Sequence, residues 1–118
     1  MKTLVLGASL NPSRYSHLAV EKLREHGHEV VAVGRDEGKI NDVKLSHDFS
    51  VADKIDTVTV YLNNEHQKLY YNKILAAKPR RIIFNPGAEN KELKDLAEQN
   101  GIQTEDACTL VLLNTGQY

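Results

Sequence analysis

The sequence has little of several residue types that define whole classes of protein. It has one cysteine, which excludes an internal disulfide framework and a cysteine-rich zinc site. Its 15 Lys and Arg residues nearly balance 16 Asp and Glu residues, so we expect no nucleic-acid partner. Its apolar runs stay far below the roughly 18 residues that a membrane-spanning helix needs. We therefore expect a cytoplasmic protein without a membrane partner.

What the sequence does contain is typical of one small globular domain. Hydrophobic residues make up 41% of the chain and charged residues 26%, which are ordinary values. A chain of 118 residues is close to the commonest domain size and buries roughly two-thirds of its unfolded surface. We predict a single domain over residues 1–118.

Short apolar runs alternate with helical patterns along the chain. The runs are continuous, which is typical of strands in a parallel sheet that is covered on both faces. This alternation predicts an α/β fold with a doubly wound, mostly parallel sheet of about five strands. The predicted strands are residues 4–6, 30–33, 58–62 and 82–84, with a weaker fifth at 102–104, and the predicted helices are residues 16–26, 65–78 and 91–99.

Two segments are ambiguous at this level. Residues 36–56 are compatible with a short strand at 43–45 and a helical turn near Val51. Residues 108–113 are apolar and suit a strand or a helix, because periodicity does not separate the two over so few residues.

The turn after the first predicted strand has the composition of an anion site. Doubly wound sheets bind ligands outside the carboxyl ends of their strands, near the reversal of strand order. Gly7 and Ala8 are small enough to let a ligand approach, and Ser9 and Ser16 have hydroxyl groups that bind phosphate or cap a helix. A helix start offers free amides, and Arg14 adds a positive charge. A plain serine-capped turn is the alternative, and we favour phosphate binding.

Three well-known motifs are absent from this turn. Ser9 stands where the dinucleotide motif G-x-G-x-x-G needs its second glycine, and there is no Gly-Lys-Ser/Thr of a Walker A loop. Asn11 replaces the last glycine of a G-x-S-x-G nucleophile elbow. No acid–base pair stands out elsewhere, which argues against catalysis.

Three further turns fall at the same predicted rim. Gly34 and Arg35 follow the second strand, where dinucleotide folds meet the ribose, so Arg35 suits a ribose phosphate. A solvated loop with mixed charges explains them equally well. Asn63 follows the third strand and is a common helix cap. Pro86 and Gly87 form a tight turn after the fourth strand, with room for a ligand.

The order of these motifs resembles a known family. Gly7-Ala8-Ser9-x-x-Pro12-x-Arg14-x-Ser16 is similar to the opening motif of the small stand-alone CoA-binding proteins. These proteins are in turn similar to the N-terminal CoA-binding domain of the succinyl-CoA synthetase α subunit. Ile55-Asp56 before the central strand, the loop 85–90 and the segment that starts at Cys108 resemble later elements of the same family, in order.

This resemblance implies a Rossmann-like domain that binds coenzyme A or an acyl-CoA. The first turn would hold the pyrophosphate, and the end of the second strand would lie along the adenosine, with Arg35 or Lys39 reaching the ribose phosphate. Asn63 and the turn 86–88 would line the adenine and pantetheine side. The implied site residues are Gly7, Ala8, Ser9, Pro12, Arg14, Ser16, Val33, Gly34, Arg35, Asn63, Pro86, Gly87 and Ala88.

Three functions stay open on the sequence. The first is a non-catalytic binding module for CoA, since the chain has no room for the partner domains of a CoA synthetase. The second is an NAD(P)-binding oxidoreductase or nucleotide sensor that uses the same rim. The third is an interaction protein that forms a homodimer through residues 108–113.

Overall fold

The apolar runs form strands of one sheet in the computed structural model, which describes residues 2–118. Each predicted strand is present, and the ambiguous residues 43–45 form a strand as well. The sheet has seven strands, two more than expected, because it includes both the ambiguous strand and a two-residue strand that no pattern revealed. The strands are β1 (Lys2–Leu6), β2 (Glu29–Val33), β3 (Lys39–Ile40), β4 (Val43–Ser46), β5 (Thr57–Val60), β6 (Arg81–Phe84) and β7 (Gln103–Asp106).

The sheet order is β3-β4-β2-β1-β5-β6-β7. Only the β3–β4 pair is antiparallel, and β1 pairs in parallel with both β2 and β5. The chain therefore builds the sheet outward from β1, first in one direction and then in the other. This is the strand order of a Rossmann-like doubly wound fold, and it places the reversal between β1 and β5.

Helices cover both faces of the sheet. The ambiguous residues 108–113 are mostly helical, and the predicted helix 65–78 is interrupted by a 3₁₀ turn, Lys68–Tyr70. That turn comes directly after Gln67, whose side chain is buried and bonds to two neighbouring turns. The helices are α1 (Tyr15–Glu25), α2 (Asn64–Gln67), α3 (Tyr71–Ala77), α4 (Lys91–Gln99) and α5 (Thr109–Asn114), and a second 3₁₀ turn spans Val51–Asp53.

The core has two halves, one on each face of the sheet. Leu4 and Leu6 of β1 pack with Ile74 on the face that carries α3 and α4. Val5, between them, packs with Leu23 of α1 on the other face. Alternate side chains of a strand point to opposite faces, so a continuous apolar run supplies both halves. No helix of residues 2–118 combines the length and the apolar composition needed to cross a bilayer.

Candidate functional site

The functional candidate is a cleft of about 740 Å³ at the carboxyl ends of β1 and β5. This is the place where the strand order reverses, and open parallel sheets bind their ligands there. Its volume lies within the roughly 300–1,000 Å³ that is usual for small-molecule sites. The lining residues are Leu6, Gly7, Ala8, Ser9, Arg14, Val33, Gly34, Arg35, Asp36, His47, Tyr61, Leu62, Asn63, His66, Tyr70, Pro86 and Gly87.

The cleft brings together all the site residues inferred from the sequence except three. Pro12 is exposed on the turn before α1 and does not line the cleft. Ser16 is buried in the first turn of α1, and Ala88 is buried in the core beside the cleft. Asn63 lines the cleft and also caps α2, because its Oδ1 accepts a hydrogen bond from the amide of His66 at 3.0 Å.

Sequence reasoning missed seven residues that line the cleft. Three of them directly adjoin inferred site residues (Leu6, Asp36 and Leu62), and the other four are His47, Tyr61, His66 and Tyr70. His47 follows β4, a segment whose pattern is ambiguous. Nothing in the sequence therefore indicates that His47 lies at the rim of the sheet. Tyr61 was counted within a strand, but β5 ends one residue earlier. His66 and Tyr70 lie on the interrupted helical segment, and their direction depends on that interruption.

The turn after β1 and the turn after β2 are held together by hydrogen bonds and by a close backbone contact. The amides of Gly7 and Ala8 both donate to the carbonyl of Val33, each at 2.8 Å. A methyl group on Gly34 would lie 2.0 Å from the carbonyl oxygen of Ala8, so only glycine allows the two turns to meet. The amides of Gly7 and Ala8 are therefore already used, and a diphosphate must be held by other groups.

The peptide between Ser9 and Leu10 is fixed at both ends. Nδ1 of His17 donates to the Ser9 carbonyl at 2.9 Å, since a carbonyl oxygen only accepts. The Leu10 amide donates to Oδ2 of Asp36 at 3.1 Å. The Ser9 hydroxyl oxygen accepts from the Asn11 amide at 3.1 Å, which leaves the hydroxyl proton to donate.

In the turn that leads from β1 into α1, the amides of Ser9, Tyr15 and Ser16 have no protein partner among residues 2–118. Tyr15 and Ser16 begin α1, and Arg14 precedes them without capping the helix through its side chain. Amides at a helix start carry a partial positive charge and are suited to bind an anion. The groups best suited to bind an anion therefore lie at Ser9 and the start of α1.

The charged side chains of the cleft favour an anionic ligand. Arg14 and Arg35 line it and make no ion pair with any other described residue. The one lining carboxylate, Asp36, accepts a hydrogen bond from the Leu10 amide. Within residues 2–118, no three His, Cys, Asp or Glu side chains are grouped so as to hold a metal ion.

Polar groups beneath the cleft are mostly satisfied by one another. Asn85 donates to Thr59 at 2.6 Å and accepts from the amide of Thr109 at 2.9 Å, which ties the start of α5 to the sheet. Burial raises the pKa of Tyr61 to about 12. Its hydroxyl therefore stays protonated near neutral pH, and Tyr61 is a wall of the cleft rather than a base.

A smaller cleft of about 390 Å³ lies beside β2 and β4, toward the β3 edge of the sheet. Its main charged groups, Arg24 and Asp42, are already paired, with 2.7 Å between Nη2 and Oδ2. It also lies away from the reversal of strand order. The larger cleft is therefore the better candidate.

Comparisons with known proteins identify the family of this chain. Residues 1–114 match the family model described as CoA binding domain. The chain is 45% identical to an uncharacterized protein of known structure, covering 99% of this chain and 97% of that one, with a TM-score of 0.94. It is 23% identical to a Thermus thermophilus protein, covering 99% and 90%, with a TM-score of 0.85.

A larger enzyme contains the same fold. The dinucleotide-forming acetyl-coenzyme A synthetase 1 of Ca. Korarchaeum cryptofilum is 19% identical over 90% of this chain, with a TM-score of 0.71. The match covers only 25% of that enzyme's chain. Among curated proteins, none is similar enough to match. With the family model covering nearly every residue, the chain belongs to the CoA-binding domain family.

Proposed function

We propose that this protein binds coenzyme A, free or acylated, in the cleft at the carboxyl ends of β1 and β5. We further propose that it acts as a binding module with no catalytic step of its own. Membership of the CoA-binding domain family supports the ligand class. The cleft supplies cations, amides and hydroxyls, which are groups for binding an anion.

The observation that carries this proposal is the pairing of open amides with an unpaired cation. Ser9 and Arg14 line the cleft, and they offer an amide proton and a guanidinium with two parallel donors. The amides of Tyr15 and Ser16, which follow Arg14 at the start of α1, also lack a protein partner among residues 2–118. A pyrophosphate carries the charge and the acceptor oxygens that such a group binds. The diphosphate of CoA would therefore lie against the start of α1.

The ribose phosphate would lie at the end of β2. Arg35 lines the cleft there, and His47 of the neighbouring turn lies on the same wall. Lys39 belongs to β3 and is not among the lining residues, so Arg35 is the better candidate of the two. The pantetheine would then follow the wall formed by Asn63, Pro86 and Gly87.

A titration tests the proposal directly. Purified protein is titrated with CoA, dephospho-CoA, NAD and NADP, and the melting temperature and binding heat are recorded. A ligand present at a hundred times its dissociation constant stabilises the fold by about 2.7 kcal/mol. We expect this for CoA, with weaker binding of dephospho-CoA because it lacks the phosphate that Arg35 would bind. No response to CoA at millimolar concentration would overturn the proposal.

A second candidate, NADP binding, has one observation in its favour. Arg35 follows β2 at the position where dinucleotide folds bind the ribose, and an arginine there accommodates a 2′-phosphate. The same titration separates the two candidates. A response to NADP that exceeds the response to CoA would favour this alternative.

A further inference from the structure

One wall of the cleft is braced from behind by a buried glutamine. Gln67 has no solvent exposure. Its Nε2 donates to the carbonyl of Leu62, in the turn after β5, and to the carbonyl of Ala88, in the turn after β6, each at 2.8 Å. One side-chain amide group therefore joins two turns that come from different strands.

The remaining bonding capacity of Gln67 is also used. Its Oε1 accepts from Nδ2 of Asn90 at 2.9 Å, and the same Nδ2 donates to the hydroxyl of Tyr71 at 2.8 Å. Oδ1 of Asn90 accepts from the amide of Leu93 and so caps α4. Fully satisfied buried networks of this kind are rigid, because each broken bond leaves a buried polar group unpaired.

The two braced turns form the wall along which the pantetheine would lie. Leu62 and Asn63 line the cleft from one turn, and Pro86 and Gly87 line it from the other. Gln67 itself is not a lining residue, so it acts on the cleft only through the turns. We propose that Gln67 is a positioning residue that fixes the separation of these turns and so the affinity for the pantetheine side of the ligand.

This inference rests on the proposed function and adds a residue for which the family motif gives no role. An apolar side chain of similar size would fill the same volume but would leave the two carbonyls without donors. The two turns would then move apart, so that each carbonyl accepts a hydrogen bond from water. The pyrophosphate end of the cleft, at Ser9 and α1, belongs to different elements and would keep its geometry.

The test compares two probes on one variant. In Gln67→Leu we expect the dissociation constant for CoA to rise roughly tenfold, because both hydrogen bonds that join the turns are lost and the wall geometry is lost with them. We expect the dissociation constant for inorganic pyrophosphate, measured by NMR titration, to stay within about twofold of the wild-type value. Equal weakening of both probes, or unchanged CoA affinity, would overturn the inference.

A matched control separates positioning from general loss of stability. Tyr71→Phe removes the outer acceptor of the network and leaves both bonds from Gln67 to the turns in place. It should lower the melting temperature and keep CoA affinity. If it weakens CoA binding as much as Gln67→Leu does, the positioning role is wrong. If the wild-type protein binds no CoA, the proposed function fails at that earlier step.

A measurement on the wild-type protein covers the case in which Gln67→Leu does not fold. The side-chain amide protons of Gln67 should exchange with solvent far more slowly than those of Gln99, which is exposed on α4. CoA should shift the Gln67 side-chain resonances, and pyrophosphate should not. Fast exchange at Gln67, or no shift with CoA, would overturn the inference.

Discussion

Arginine side chains are paired differently at the two rims of the sheet. At the amino ends of the strands, arginines are matched within the fold: Arg24 binds Asp42, Arg80 binds Asp56, and Arg81 lies 4.6 Å from the centre of the Tyr118 ring. At the carboxyl ends, Arg14 and Arg35 line a cleft without an ion pair to any described residue.

This difference distinguishes the rim whose arginines have partners within the protein from the rim whose arginines are available to a ligand. The arginines of the amino-end rim have partners within the fold, so substitutions there should change stability. The carboxyl-end rim keeps amides and guanidinium groups available, so its substitutions should change ligand affinity. Gly34 is the exception, since it lies at the open rim and holds two turns together.

The largest effect is expected for Gly34→Ala, which should damage both properties. The added methyl group would meet the Ala8 carbonyl at 2.0 Å, and neither backbone can yield without separating the turns. We expect a loss of about 3 kcal/mol in the free energy of unfolding and a fall in CoA affinity of about a hundredfold. Chemical denaturation and calorimetry measure the two quantities.

The matched control is Gly101→Ala, in the turn between α4 and β7. An added methyl group there meets nothing within 4 Å, but the positive φ of 75° disfavours alanine. It should cost about 1 kcal/mol of stability and leave CoA affinity unchanged. If Gly34→Ala behaves like this control, the two turns are not joined as described.

Charge reversal at Arg14 should separate affinity from stability. Arg14 is exposed and makes no ion pair in the described fold, so Arg14→Glu should leave the melting temperature nearly unchanged. A charge-assisted bond to phosphate contributes about 2 kcal/mol, so CoA affinity should fall about thirtyfold. Unchanged affinity would remove Arg14 from the site.

Substitution of Tyr118 should show the reverse behaviour at the amino-end rim. Its ring covers the guanidinium of Arg81 and contacts His28 edge-on at 5.0 Å, and its hydroxyl bonds to Thr3. Tyr118→Ala should lower the free energy of unfolding by about 2 kcal/mol without changing CoA affinity. Tyr15→Ala, at a tyrosine that is 71% exposed, is the stability control and should have almost no effect.

The smallest effect is a pH dependence located at Asp56. Partial burial acts to raise the pKa of this carboxyl, but hydrogen bonds from Arg80 and Thr57 outweigh it and hold the pKa below its ordinary value. Such a group stabilises the fold above its unfolded pKa of about 3.9, and the stabilisation is lost as pH falls through the folded pKa.

Asp56→Asn should therefore melt at a lower temperature than the wild type at pH 7. The gap between the two melting temperatures should narrow as the pH is lowered from 5 to 2. A gap that stays constant over this range would mean that Asp56 is not ion-paired. CoA affinity, measured at pH 7, should be the same for both proteins.

The sequence predicts the fold well because the strands are buried on both faces. The runs around Leu4, Val58 and Ile83 are continuous and apolar for that reason, and each forms a strand of the parallel sheet. The two-residue strand β3 has no such run, since only Ile40 of the pair is buried. The interruption after Gln67 was equally hidden from the sequence pattern, and the Gln67 side chain bonds there to the carbonyls of Leu62 and Ala88.

The sequence predicted that the turns of the cleft meet at one rim of the sheet, but not their atomic contacts. Parallel strands end at one rim, so glycine- and serine-rich turns after several strands had to meet there. Contacts between turns decide which backbone amides lack a hydrogen-bond partner within the protein. The Val33 carbonyl accepts hydrogen bonds from the amides of Gly7 and Ala8. The sequence around residues 7 and 8 does not indicate that their partner comes from β2.

The contact between Ala8 and Gly34 also limits how this protein can be re-engineered. A segment grafted between β1 and α1 would have to place a backbone carbonyl where the Ala8 carbonyl now contacts Gly34. A carbonyl in another position would displace the end of β2. Residues 7–10 and 33–38 are therefore best exchanged together as a cassette. Libraries that diversify only one of the two segments would return mostly misfolded clones.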